Sequence, residues 1–128
     1  MIIGNGIDIV NISRIKLIIK KNANFLKRVF TKNEILYCDK KKDSYNYFSK
    51  RFAAKEAFVK AIGEGFRDNI NLIDIEIKNN NKGKPYILIP RKIINRIKKK
   101  FKIKNFVIFL SISDEKNYAI ANVIITKK

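Results

Sequence analysis

Residues 2–10 alternate Ile and Val with small or polar positions, Gly4, Gly6 and Asp8 among them, the period-two pattern of a β-strand. Asn11 or Ser13 can cap a helix reaching about Lys20, in which Ile12, Ile15, Ile18 and Ile19 share a face. A short second helix is expected over 22–28. Thr31 and Glu34 have capping-box spacing, so a third helix begins there and runs into the charge cluster at 40–43. A longer helix should cover 45–62 and stop at Gly63, where a left-handed residue ends the last turn. The pattern then changes. Residues 72–78 alternate, which predicts a strand with Asp74 and Glu76 on one face. A turn at 79–83 and a return strand at 86–89 complete a hairpin. Pro90 opens a helix to about Lys100 with Ile93, Ile94 and Ile97 inward, and two apolar strands at 106–112 and 118–126 form a second hairpin. The order β-α-α-α-β-β-α-β-β predicts an α+β fold: one domain over 1–128, a mainly antiparallel five-stranded sheet packed with helices.

Composition narrows the chemistry. The chain has 128 residues, 46% of them apolar, which suits one domain with its own core. It has no His and a single Cys, Cys38, so zinc fingers, disulfide frameworks and His-based catalysis are excluded. Carboxylates, Lys, Tyr, Ser/Thr, the lone thiol or a hard metal remain. Lys and Arg number 29 against 11 Asp and Glu, a net charge of +18, which suggests a small basic α+β nucleic-acid-binding module. The bias itself weakens that reading. Ile occurs 25 times, Lys 23 and Asn 15, all with AT-rich codons, while Arg occurs only 6 times. The apolar N-terminus lacks a basic leader and is broken by Asp8, and no apolar run approaches the ~18 residues of a membrane span. A soluble cytoplasmic protein is expected.

Three features could carry chemistry. Asp8 lies inside an apolar strand, opposite in direction to Ile7 and Ile9, where a carboxylate is costly unless paired or bound to a cation. Capping of the next helix is the plainer alternative. In the helix around 51–60, Phe52, Glu56 and Lys60 share one face, and Arg51, Lys55 and Val59 another. A simple Glu56–Lys60 pair would also explain that spacing. Asn79 to Pro85 could cradle a phosphate or be only a turn. Taken together, Asp8 and Glu56 suit Mg²⁺, which takes one or two carboxylates plus substrate phosphates. The cations nearby then suggest transfer chemistry at a diphosphate.

At these residues the chain resembles the holo-[acyl-carrier-protein] synthases, small bacterial 4′-phosphopantetheinyl transferases. A G-x-G-x-D-[IV]-V motif is met by Gly4, Gly6, Asp8, Ile9 and Val10, with Arg14 and Ile15 after the spacer. Phe25, Arg28, Val29, Phe30, Thr31 and Glu34 meet a second motif. Arg51, Phe52, Ala53, Lys55, Glu56, Ala57, Lys60, Ala61, Gly63 and Gly65 meet the third. Asn80, Gly83, Lys84 and Pro85 meet the fourth, and Ser111, Ile112, Tyr118, Ala119, Ala121, Val123 and Ile124 the last. Each motif is modest, but all five occur in order and at family spacing.

The resemblance implies Mg²⁺ on Asp8 and Glu56 and transfer of the phosphopantetheine arm of coenzyme A to a serine of apo acyl carrier protein, with 3′,5′-ADP leaving, for fatty acid biosynthesis. Lys60 would support the diphosphate, and Glu56 or a metal-bound water is the candidate base. Phe48, Arg51, Lys60, Gly63, Gly65, Lys84 and Pro85 match positions that bind or border CoA in the family. Arg14, Lys20, Lys21 and Arg28 are candidates for meeting the acidic carrier protein. A homotrimer with sites between subunits is implied, for which 106–112, 118–126 and the stretch Phe101, Phe106, Phe109 could supply the interface. One departure is that Asp114 stands where many members have His.

Overall fold

The computed structural model describes residues 1–63 and 70–128. Strand β1 (Ile2–Asn11) is followed by helices α1 (Ile12–Lys21), α2 (Asn24–Val29), α3 (Lys32–Asp39) and α4 (Ser44–Ile62). A 3-10 turn (Leu72–Asp74) leads into the hairpin β2 (Glu76–Asn79) and β3 (Pro85–Leu88), then α5 (Arg91–Phe101) and the hairpin β4 (Phe106–Asp114) and β5 (Tyr118–Lys127).

The helix ends follow local chemistry. Asn11 Oδ1 accepts from the Arg14 amide at 3.1 Å and starts α1. At α3 both halves of the capping box form: the Glu34 amide donates to Thr31 Oγ1, and the Thr31 amide to Glu34 Oε1. Asp43 caps α4, and Gly63 ends it in the left-handed region at φ +83°. There its amide donates to the Val59 and Lys60 carbonyls.

α4 is the central element. Ala53, Ala54, Ala57, Phe58, Val59, Ala61 and Ile62 are all buried, so the helix is apolar on most sides, as expected where other elements surround it. It lies across the inner face of an antiparallel sheet ordered β1-β5-β4. Gly4 and Gly6 of β1 face it directly. A Cβ at Gly6 would stand 2.0 Å from the Ala57 carbonyl oxygen, and one at Gly4 2.3 Å from that of Ala61. Two glycines on the strand and two alanines one turn apart on the helix thus let the backbones touch.

Three expectations change in detail. The expected order counted three helices before the first hairpin, and four stand there, α1 to α4. The five strands do not form one sheet: β2 and β3 pair only with each other. β3 lies beside β4, but it is four residues long with proline at its start and Pro90 soon after its end. Each proline lacks a donor, which leaves little from which to build a ladder. The strand expected over 72–78 also begins late, at Glu76. Leu72 and Ile75 are both buried, and residues three apart reach the same core through a turn but not through a strand, where they would face opposite ways. Asp74 therefore does not share a strand face with Glu76. It pairs instead with Lys92 at 3.1 Å.

Candidate active site

Asp8 projects from the inner face of β1, in the row Asp8–Ala121–Ile112 across the three strands. Its side chain is 16% exposed, and Oδ1 accepts from Lys60 Nζ at 3.0 Å. The same ammonium donates to the Ile7 carbonyl at 3.1 Å. Lys60 is in the last turn of α4, and Glu56 is one turn earlier on the same side. The Glu56 carboxyl is held above the ordinary range, first by burial and then by the Asp8 charge, with Lys60 opposing. Lys60 thus bridges to Asp8 across the strand–helix contact rather than serving only Glu56 along the helix. Two neighbouring carboxylates, with only oxygen donors, fit a hard divalent cation. Among the described residues no group of three or more His, Cys, Asp or Glu converges, so the carboxylates that they bring to this place are this pair.

On another side of α4, Arg51 is 4% exposed and its Nη2 donates to Asn79 Oδ1 at 2.8 Å. Its guanidinium carbon lies 4.1 Å from the centroid of the Tyr37 ring, and its Nε has no hydrogen-bond partner. Arg51 forms a wall of a cavity of about 190 Å³ with Tyr37, Tyr47, Lys50, Asn79 and Pro85. The turn beside it is held by Asn80, whose Oδ1 accepts from the amides of Lys82 and Lys84, both at 2.9 Å. This leaves the Lys84 side chain exposed at the tip region. A cationic, aromatic-walled cavity of this kind suits a phosphorylated ring system.

A model of the 4′-phosphopantetheinyl transferase superfamily matches residues 4–123. The holo-[acyl-carrier-protein] synthase of Pelagibacter ubique (strain HTCC1062) is 53% identical over 127 residues, covering 99% of this chain and 98% of the relative. The chain belongs to the holo-[acyl-carrier-protein] synthases. Solved structures agree. The enzyme of Neisseria meningitidis superposes with a TM-score of 0.85 at 36% identity, over 99% of this chain and 100% of that one. The Bacillus anthracis enzyme, in complex with CoA (3′,5′-ADP), gives 0.82 at 32% identity, over 100% and 99%.

Within this synthase fold the remaining expected residues separate. Phe48 does not open on either site. It is 2% exposed with its ring 5.0 Å from that of Phe30, so it belongs to the core. Gly63 is the helix stop, with Lys100 Nζ bonded to the neighbouring Ile62 carbonyl, and Gly65 lies outside the described residues. Arg14, Lys20, Lys21 and Arg28 are all exposed. Between Asp8 and Glu34 the chain has seven cations and no acid, so every charged side chain on α1 and α2 is positive. Phe101 and Phe106 pack against the core, so of the three phenylalanines expected at an interface only Phe109, 52% exposed, faces outward. Asp114 lines the Arg51 cavity and accepts from Asn46 Nδ2 at 2.8 Å. Cys38 is fully buried, and burial pushes its thiol up to about 12.

The sequence pattern did not point to Tyr37, Tyr47 or Lys50, and it offered Asn79 only as the first residue of a turn that could cradle a phosphate. The recurrence of Tyr among cations over 37–51 was the available signal. Glu34 was expected as a cap and as part of the second motif, with no partner on another element. In the fold, Glu34 and Lys55 are a fully buried ion pair at 2.6 Å. Lys55 Nζ also donates to the carbonyls of Val29 (2.7 Å) and Leu72 (3.0 Å), which satisfies all three of its protons inside the protein. Burial lowers the Lys55 pKa, opposed by Glu34.

Proposed function

We propose that this chain transfers the 4′-phosphopantetheine arm of coenzyme A to a serine of apo acyl carrier protein and releases 3′,5′-ADP. One arrangement supports this most: Asp8 and Glu56, brought together because Gly4 and Gly6 seat α4 on β1, in a chain matching the family along its length. Mg²⁺ bound by these carboxylates would neutralise charge on the diphosphate during attack. Lys60, anchored by Asp8 and the Ile7 carbonyl but 55% exposed, is placed to meet the same diphosphate. Arg51, Lys84 and Pro85 would take the nucleotide end, with Arg51 pre-oriented by Asn79. The positive surface of α1 and α2, with Arg14, Lys20, Lys21 and Arg28, would orient the acidic carrier protein.

A second copy completes this site. At about 100° per residue, Arg51 lies roughly 140° around α4 from Glu56 and roughly 180° from Lys60. In one chain the cavity and the carboxylates therefore open on different sides of the helix. The outer face of the sheet offers a surface for association. Its rows Asn5–Ile124–Phe109, Ile7–Asn122–Ser111 and Ile9–Ile120–Ser113 hold no charged residue, in a chain that is 31% charged. Ile7, Ile9 and Phe109 there are each more than half exposed. A homotrimer would close such a contact and set the Arg51 cavity of one chain against Asp8 and Glu56 of another. The uncharged face also disfavours a nucleic-acid platform, which needs cations among its aromatics. A cytoplasmic role in fatty acid biosynthesis goes with this reading; among the described residues no helix is long and apolar enough to cross a membrane.

The test is the intact mass of apo acyl carrier protein after incubation with this protein, CoA and Mg²⁺. The reading predicts a gain of one phosphopantetheine arm, abolished by EDTA and by Asp8→Asn. No gain from folded protein, with a carrier that another synthase modifies, would refute it.

A further inference from the structure

We infer that Glu34 is a positioning residue for the CoA cavity: its buried carboxylate sets the register of the β2–β3 hairpin on α4. This inference rests on the transferase reading for the identity of the ligand. The Glu34 carboxylate collects donors from three elements: the Thr31 amide at 2.9 Å, Lys55 Nζ at 2.6 Å, and the Ile77 amide at 2.9 Å through the other oxygen. Each donor differs in origin: the start of α3, the middle of α4, and β2. The carboxylate is therefore the joint through which β2 is tied to the helix.

The spacing makes the joint specific. Arg51 and Lys55 are one turn apart on α4, about 6 Å along the axis, and Ile77 and Asn79 are two residues apart on β2, about 6.7 Å. Arg51 reaches Asn79 directly, and Lys55 reaches Ile77 through Glu34. The helix turn and the strand dipeptide are thus matched at two points. The first is a wall of the cavity, and the second is remote from it and sealed at 0% exposure. A single point would let the hairpin pivot about the Arg51–Asn79 bond and carry Gly83 and Pro85, which also line the cavity, out of place. Thr31 adds a brace at the same joint, donating from Oγ1 to Glu76 Oε2 at 2.5 Å.

Two variants separate positioning from mere stability. Glu34→Asp keeps the charge that Lys55 needs but is one methylene shorter, so it cannot hold Lys55 and Ile77 together. Glu34→Leu with Lys55→Met replaces the ion pair by apolar side chains, an exchange that buried pairs often tolerate. For each, the melting temperature, the KM values for CoA and for carrier protein, and the calorimetric Kd for CoA are measured on the full chain. Positioning predicts a KM and Kd for CoA raised about 5–30-fold, with KM for carrier protein within about twofold, in whichever variant melts cooperatively. Wild-type KM and Kd for CoA in a folded variant would overturn the inference, leaving Glu34 a stability residue. If wild-type protein binds CoA but transfers nothing, the transferase reading fails and the Kd comparison still decides the role of Glu34. If it does not bind CoA at all, both fail.

Discussion

Replacing Gly6 with alanine tests how the site is built. The added Cβ would lie 2.0 Å from the Ala57 carbonyl oxygen and 2.6 Å from the Ala61 amide nitrogen. Ordinary contact begins at 3.4 Å, so α4 must retreat by about 1.4 Å or the strand must bend. Both obstacles are backbone, and no rotamer change can relieve them. Overpacking of this kind costs about 1–3 kcal/mol. For a chain of this size a Tm loss of about 4–12 °C follows. The effect on catalysis is larger in proportion, because the retreat carries Glu56 and Lys60 away from Asp8. A misplacement of about 1 Å can lower turnover about 100-fold. Thermal melting and the rate of carrier modification, measured at a temperature where the variant is fully folded, separate the two effects. A Gly6→Ala protein with wild-type turnover would refute the argument that this glycine seats α4 and aligns the carboxylates.

Two further outcomes are expected. Arg14→Glu should raise KM for carrier protein about tenfold or more and leave KM for CoA nearly unchanged, with the difference shrinking at high salt; equal effects on both would remove Arg14 from the carrier surface. Glu56→Gln should raise the Tm of metal-free protein near pH 7 while abolishing transfer. A carboxyl whose pKa is raised on folding favours the folded state when protonated, and that contribution is lost as pH rises through the raised value. The Tm gap between variant and wild type should therefore close as pH falls into the ordinary carboxylate range; a gap independent of pH would contradict this origin.

Much of this was legible in the sequence because local chemistry decided it. The capping box at Thr31 and Glu34, the stop at Gly63 and the two hairpins formed where turn and cap residues placed them. Asp8 was conspicuous because a carboxylate in an apolar strand needs a reason, and Glu56 because it shared a helix face with Lys60. Contacts between distant segments were not legible. Glu34 serves as a cap and as the buried partner of Lys55, and only the first role has a local spacing. The direction of Ile7 and Ile9 relative to Asp8 followed from strand alternation, but which face met α4 did not. The glycines decided that by admitting the helix. The strand expected at 72–78 starts only at Glu76 because Leu72 and Ile75 both had to reach the core.

The proposed site is split across α4 and completed between copies. Arg51→Met and Glu56→Gln proteins, each inactive alone and each folded by thermal melting, would be mixed, exchanged under mild denaturant and refolded, with hybrid oligomers confirmed by native mass. Activity should return to about a quarter of the wild-type level, the share of interfaces that pair two intact halves in a random cyclic assembly. Confirmed hybrids that remain inactive would show that Arg51 and Glu56 act within one chain, contrary to the account.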